Sequence, residues 1–582
     1  MANILNKVIR KAIGIFEGGL SQEQAKWAEE PYDVPETAKS DLRQLAAEGI
    51  VMLKNDGTLP LSGKKISVFG RCQYDYFYCG YGSGGDVNIP YKVSLSEALH
   101  NQDSIDINKA IDNYYREMSE KNPPDEGYWG HWPFHFPEFI PDENLIRSAS
   151  EESDAALVVI GRAAGEDREN KLEKGSYYLT DDEIKLLDSV TAYFSKTVVV
   201  LDCGNIIDMK KIHSYGDKIA AILYAFQGGM ESGNALCDIL SGKVNPCAKL
   251  TDTIAINYSD YPSADCFGGK DFNYYKEDIF VGYRYFETFA PDRVLYPFGF
   301  GLSYTTFSLE TVDFKKNEND VQLSVKITNT GKVAGKEIIQ IYCEQPAGAI
   351  STSKRVLCDF AKTDILAPEE SCIVNFTVPF YSFSSYDDSG KSGFESSYIL
   401  IEGEYKFFAS DCVRGGADCG SFIVPKTFCI EKLQPVCSVK NGFERMIRYK
   451  EGSKLKESVP KTNVDLRKRI LDNLPKELPH SLDKGYKLSD VKNGKITMDE
   501  FVSQLNLEEL EAITRGHYTM HSPLGTSGNA GVFGGVLPSL RDKGIPPLST
   551  TDGPAGIRVT KKRSLLPTGA CMAASWNLEL IE

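Results

Sequence analysis

The chain has 582 residues and a mass of 64.5 kDa, which at ~100–200 residues per domain implies three or four domains. With 42% hydrophobic and 25% charged residues it has an ordinary globular composition, so collagen-like and disordered readings fail. A net charge of −16 and a pI near 5.2 exclude a broad electrostatic grip on nucleic acid or anionic lipid.

At the N-terminus the apolar run Ile13–Phe16 is broken by charge on both sides. It predicts an amphipathic helix rather than a secretory signal. No stretch reaches the ~18 apolar residues of a membrane span, so neither a membrane nor a nucleic-acid partner is expected, and the cytoplasm is the expected location. The 14 cysteines include no CxxC pair and are expected to be reduced, mostly buried thiols.

From about residue 40 to 300 the chain alternates strand and helix signals. Lys65–Gly70, Ala155–Gly161, Thr197–Gly204 and Ile219–Phe226 are apolar runs of strand length. Ser94 with Glu97, and Thr180 with Glu183, have capping-box spacing at helix starts. This rhythm predicts a parallel sheet covered on both faces. After Gly301 the period changes to two. Val321–Thr328, Ile338–Tyr342, Cys372–Val378 and Tyr405–Phe408 alternate apolar and polar residues, which predicts an antiparallel β-sandwich. Residues 438–490 are polar and Lys-rich, and are expected to be a linker or a wrapping segment. Thr497–Glu500 is a third capping box. Leu507–Thr514 reads as a helix, and Ile545–Thr551 as a short strand that ends at Asp552.

Four stretches could carry chemistry. Gly80, Gly82 and Gly85 match GxGxxG, but Val87–Val93 separates them from the helix at Ser94, so helix amides cannot face a pyrophosphate there. A flexible loop and a loop bordering a ligand cleft both remain. Gly165-Glu166-Asp167-Arg168 follows a strand, where carboxylates border the crevice of an α/β sheet. Glu166 could work as an acid–base group there, or the tetrapeptide could be a surface salt-bridge cluster. Asp552 in Thr551–Arg558 (TDGPAGIR) could accept hydrogen bonds from adjacent sugar hydroxyls or simply form the turn. The segment Gly127–Phe139 carries Trp129 and Trp132, as sugar-stacking faces or as a plug under a long loop. The spaced pairs His131/His135 and His517/His521 have no nearby acidic third ligand, so no metal and no cofactor are expected.

Together these segments resemble glycoside hydrolase family 3, the β-glucosidase family. The likeness rests on Ala46–Asn55 with Leu59-Pro60-Leu61, Gly161–Asn170, Gly228–Leu250, Tyr283–Phe307 and Thr551–Arg558. The resemblance implies a multidomain α/β protein: an α/β sandwich, then a fibronectin type III-like β-sandwich, then the start of a (β/α)8 barrel, in reverse of the family's common order. The expected divisions are an N-terminal helical segment (1–39), the α/β sandwich (40–304), the fibronectin-like domain (305–437), a linker (438–490) and an incomplete barrel (491–582).

The resemblance also implies a retaining, exo-acting β-glucosidase that hydrolyses terminal non-reducing β-D-glucosyl residues of β-glucosides or oligosaccharides by double displacement. A related β-xylosidase and a non-catalytic carbohydrate-binding protein are the alternatives. Glu166 aligns with the acid/base, to be held protonated by burial and by the nucleophile's charge. Asp552 aligns with the aspartate that binds the −1 sugar, and Arg558 with an arginine beside it. The family's nucleophile lies in a Ser-Asp-Trp-like motif. Ser-Asp pairs occur here at Ser40, Ser153, Ser259 and Ser489 among others, never followed by Trp and always before Asp552. Thirty residues follow Asp552, whereas a barrel takes ~250. The chain is therefore expected to be an incomplete copy of a longer enzyme, inactive alone and poorly soluble at its C-terminal end. A homo-oligomer is compatible with exposed barrel loops.

Overall fold

The computed structural model describes residues 30–82, 84–128, 130–166, 168–449 and 452–582. The expected helix around Ile13–Phe16, together with Trp129, Ser83 and Asp167, lies outside the described residues.

A six-stranded sheet forms the first body. Its strands are β1 (Val51–Asn55), β2 (Lys65–Phe69), β3 (Asp106–Ile107), β4 (Ala155–Arg162), β5 (Thr197–Cys203) and β6 (Ile219–Tyr224). The order is β1-β6-β5-β4-β2-β3; all neighbours are parallel except β1, which runs antiparallel to β6. Every residue of β4, β5 and β6 is buried. Their continuous apolar runs reflect a sheet covered on both faces. Alternate residues feed two cores. Leu157, Val159, Val198 and Val200 face one, while Val158, Ile160, Val199 and Leu201 face the other. The predicted capping boxes at Ser94 and Thr180 close with both reciprocal hydrogen bonds.

The chain places β3 on one side of β2 and β4, β5 and β6 on the other. The order therefore reverses between β2 and β4, and a crevice opens beyond their carboxyl ends. This reversal positions the candidate site.

The second body is a β-sandwich. A three-stranded sheet (Ser371–Pro379, Asp320–Asn329, Phe307–Lys316) faces a four-stranded one (Arg355–Lys362, Ile338–Glu344, Gly403–Ser410, Ala417–Val424). Val321, Leu323, Val325 and Ile327 meet Ile339, Ile341, Tyr405 and Phe407 between them. All four predicted strands are present, three lengthened by one or two residues at each end and Ile338–Glu344 by two at its C-terminal end only. Glu48 links this body to the first. It is 3% exposed and pairs with Lys336 at 2.6 Å and Lys362 at 2.7 Å. Burial pushes its carboxyl up, but the two ammonium groups outweigh that effect and hold it at about 2.

The expected linker is more than a tether. Glu444–Arg448 and Lys454–Ser458 form an antiparallel hairpin. Arg445 pairs there with Asp278 at 2.9 Å, Asp388 at 2.5 Å and Glu457 at 2.8 Å.

Residues 491–582, where the opening of a barrel is expected, hold two short described strands. A (β/α)8 barrel begins with parallel strands separated by helices. Here Gly531–Gly534 and Pro547–Thr550 pair with each other antiparallel, so each satisfies one edge of the other. The last segment is not left exposed as expected. Cys571 and Ala574 join the core of the first body, and Trp576 packs on Phe298 and Phe360. Exposed apolar side chains remain in this region, both before that segment (Tyr518, Phe533, Leu548 and Ile557) and at its end (Leu578 and Ile581).

All 14 cysteines are free thiols. Seven are buried, six half-buried and Cys437 exposed, so burial is less general than expected. Among the described residues no helix is long and apolar enough to cross a membrane.

Candidate active site

The site forms where the loops beyond β2 and β4 meet. The first of these is rooted by Asp202 near the end of β5, which accepts a hydrogen bond from the Phe77 backbone N–H at 2.8 Å. Full burial pushes the Asp202 carboxyl well above the ordinary carboxylate range. From Phe77 the loop runs into the Gly80–Gly85 stretch. Tyr81 N–H donates to the Ala164 carbonyl at 2.8 Å, and Glu166 N–H donates to the Tyr81 carbonyl at 3.1 Å. These two bonds extend the parallel pairing of the sheet past its last residues.

Glycine is required at this crossing. Gly165 has φ +117°, and a Cβ there would sit 2.2 Å from the Tyr81 oxygen. Gly82 lies under the catalytic candidate: its Cβ would fall 2.5 Å from Glu166 Cβ and 2.7 Å from Glu166 Oε2. A Cβ on Gly84 would meet Pro554 Cγ at 2.8 Å. The Gly run therefore packs against Glu166 on one side and the Asp552–Arg558 turn on the other. Of the two readings open from sequence, it borders the candidate site.

The turn is closed by hydrogen bonds from Gly556 N–H to the Gly553 carbonyl and from Arg558 N–H to the Asp552 carbonyl. Arg558 Nη1 donates to Asp552 Oδ2 at 3.2 Å, and its Nη2 lies 3.5 Å from Asp86 Oδ2. The guanidinium thus fixes Asp552 from one side while Asp552 stays 42% exposed. A carboxylate with one flank held and the other toward solvent suits acceptance of hydroxyl hydrogen bonds. The turn docks on the first loop through Asn88, which donates to Thr560 and accepts from the Arg563 N–H.

Glu166 is exposed, so the burial expected for it is not supplied by the residues described. Its neighbour Arg168 points inward. It is buried, donates to the Gly130 carbonyl at 3.0 Å and lies over the rings of Trp132 and Phe134. Trp132 in turn stacks on Tyr81 at 5.7 Å and 4°. The aromatic segment thus acts as a plug under the Gly loop, bracing the residue that pairs with Gly165. Asn205 donates to the Arg168 carbonyl at 2.9 Å, tying the β4 and β5 crests together.

The histidines have other partners. His135 Nδ1 lies 3.0 Å from the Gly175 carbonyl, and His517 Nδ1 lies 2.8 Å from Ser522 Oγ. Among the described residues no three His, Cys, Asp or Glu side chains gather to hold a metal.

Sequence reasoning missed Tyr81, Asp86 and Asn205. Only Asp86 carried a signal, as the acid that closes the glycine run.

Comparison with known proteins agrees with this arrangement. Residues 50–304 match the model of the glycosyl hydrolase family 3 C-terminal domain, and residues 337–411 match a fibronectin type III-like domain. A β-glucosidase of Ruminococcus albus is 42% identical over 92% of this chain and 57% of its own length. β-Glucosidase A of Butyrivibrio fibrisolvens is 33% identical over 92% of this chain and 71% of its own. The crystal structure of a β-glucosidase from Paenibacillus barengoltzii superimposes with a TM-score of 0.91 at 39% identity, covering 94% of this chain and 61% of that one. The chain therefore spans only about three fifths of two of these relatives. With a domain match over the body that carries Glu166 and a relative 33% identical that the chain covers to 71% of its length, the chain belongs to glycoside hydrolase family 3.

Proposed function

We propose that this chain supplies the acid/base half and the hydroxyl-binding half of a retaining β-glucosidase site. The observation that carries the reading is the packing of Glu166 and the Asp552–Arg558 turn on opposite sides of the Gly80–Gly85 loop. In retaining hydrolysis two carboxyl groups stand ~5–5.5 Å apart across the glycosidic bond. One attacks the anomeric carbon and the other protonates the leaving oxygen, then deprotonates water. Glu166 takes the second role, with its backbone fixed by Tyr81 and its carboxyl above Gly82. Asp552 accepts from hydroxyls of the glucosyl ring and so orients the anomeric carbon toward Glu166. Arg558 positions Asp552. The proposal assigns no nucleophile, because no Ser-Asp-Trp motif is present in these 582 residues.

The test combines binding and turnover. Asp552→Ala is expected to abolish binding of methyl β-glucoside by this chain, while Glu166→Gln leaves it within a few-fold. In a polypeptide that joins this chain to a Ser-Asp-Trp-bearing barrel, Glu166→Ala is expected to slow glucosides of poor leaving groups by about 10²–10⁴ and activated aryl glucosides far less. Equal losses for both would remove Glu166 from the acid role.

A further inference from the structure

We infer that a second cavity, at the crests of β4, β5 and β6, is an accessory binding pocket for a neutral β-linked gluco-oligosaccharide, separate from the Asp552 site. The cavity has a volume of about 510 Å³, within the usual range for small-molecule sites. It lies beyond the carboxyl ends of the parallel strands, bounded by the chain after Arg168, the Gly204–Ile206 turn and the segment from Leu250 to Phe267.

Its walls are aromatic. Tyr177, Tyr258 and Tyr261 form a run of edge and tilted contacts, with ring centroids 5.6 and 6.2 Å apart. Tyr224 and Phe226 add a further aromatic pair. Phe226 is held at φ +53°, a left-handed backbone that a bulky aromatic residue rarely adopts. Such strained backbone clusters where ligands bind.

The polar groups at the cavity select the ligand class. Asn170 and Asn205 bring side-chain amides, while Glu169 and Asp252 bring exposed carboxylates. Among the described residues no lysine or arginine lines it, so phosphates, nucleotides and carboxylates find no counter-charge from them. Carboxylate acceptors and amides in a cavity lined by aromatic side chains match a ring whose hydroxyls donate from its rim and whose C–H faces are apolar.

The wall nearest solvent extends this surface. Phe267, Phe272 and Tyr275 are 68%, 59% and 70% exposed, three large aromatics on one loop with only Phe267 reaching the cavity. The loop is nevertheless pinned. Arg445 of the hairpin pairs with Asp278, and the Met446 N–H donates to the Lys276 carbonyl at 2.7 Å. A fixed loop that keeps aromatic faces in water offers stacking platforms for successive sugar units, at little ordering cost on binding.

The oligosaccharide class coincides with the substrate proposed above, but the cavity does not depend on catalysis. The experiment is calorimetric titration of cellotetraose into the 582-residue chain and its Asp552→Ala, Phe267→Ala and Asp252→Ala variants. Phe267 is largely exposed, so its truncation leaves folding intact. Binding that persists in Asp552→Ala and weakens about tenfold in Phe267→Ala and in Asp252→Ala is the expected result. Loss of all binding in Asp552→Ala would overturn the second pocket while upholding the first site. Wild-type affinity in both Phe267→Ala and Asp252→Ala would also overturn it, as would saturable binding of tetramethylammonium with none of cellotetraose. Failure of Asp552→Ala to affect methyl β-glucoside would instead refute the proposed function and leave the pocket standing.

Discussion

The two halves of the proposed site are held in different ways. Glu166 sits on the crest of a sheet whose neighbouring strands are wholly buried, and its loop is locked by two backbone hydrogen bonds at a glycine crossing with no room for a side chain. Asp552 sits on a turn preceded by a two-stranded sheet and docked by loop contacts and an exposed ion pair. Its segment is anchored farther along. Leu565 accepts from Met230, Thr568 donates to Gln227, and Asn577 donates to Glu48. The first half is preformed by the core, whereas the second depends on contacts made at a distance. A site built this way should lose its Asp552 half first under mild stress.

The largest expected effect comes from breaking the rigid half. Gly165→Val puts a branched side chain where a Cβ already meets the Tyr81 oxygen at 2.2 Å. It is expected to destabilise the first body by at least about 3 kcal/mol and to abolish glucoside binding, read by denaturant unfolding and by titration.

The next test loosens the dependent half. Glu48→Gln leaves Lys336 and Lys362 without their buried partner and is expected to cost roughly 3–5 kcal/mol. Because folding holds the Glu48 carboxyl down at about 2, its contribution is complete above 4.5 and is lost as pH falls from there toward 2. Over that window, hydrogen exchange should rise in residues 565–577 and at the sandwich contact before it rises in β4 and β5.

Arg558→Ala sharpens the comparison at the site itself. The pair it breaks is partly exposed, so stability should change by less than about 1 kcal/mol. Glucoside affinity should fall about tenfold or more, because Asp552 loses its orienting partner.

The smallest effect is expected beneath the Gly loop. Asp202→Asn keeps a neutral acceptor for the Phe77 N–H and should cost within about 1 kcal/mol, whereas Asp202→Ala strands that donor and should cost about 1–3 kcal/mol. The raised carboxyl also sets a sign. The wild type should lose stability as pH rises above the ordinary carboxylate range, and Asp202→Asn should flatten that decline in thermal melts.

Much of the first body was legible in the sequence. Strands such as Ala155–Arg162 are continuous apolar runs, and the Ser94, Thr180 and Thr497 caps lie three residues before their glutamates. These signals are local. The site was legible only as separate motifs. A glycine run shows that something approaches closely, but not that the partners are Glu166 and Pro554, more than 80 and 460 residues away. Trp132 was ambiguous between a sugar platform and a plug, because its stacking on Tyr81 is a tertiary contact. The hairpin at Glu444–Ser458 escaped notice for the same reason: Arg445 is paired by acids from two distant segments and by Glu457 across the hairpin, and the strands have no apolar alternation of their own. Near Asp552 the apolar signal identified a strand but not its direction of pairing.

The most direct measurement is titration of methyl β-glucoside in a Phe267→Ala background, which weakens the second cavity, with and without Asp552→Ala. The account predicts saturable binding in the Phe267→Ala chain and none after Asp552→Ala, with Gly165 and Glu166 amide resonances shifting only in the former. Equal binding in both, or shifts confined to residues far from the Gly80–Gly85 loop, would contradict a single sugar site shared by Glu166 and Asp552.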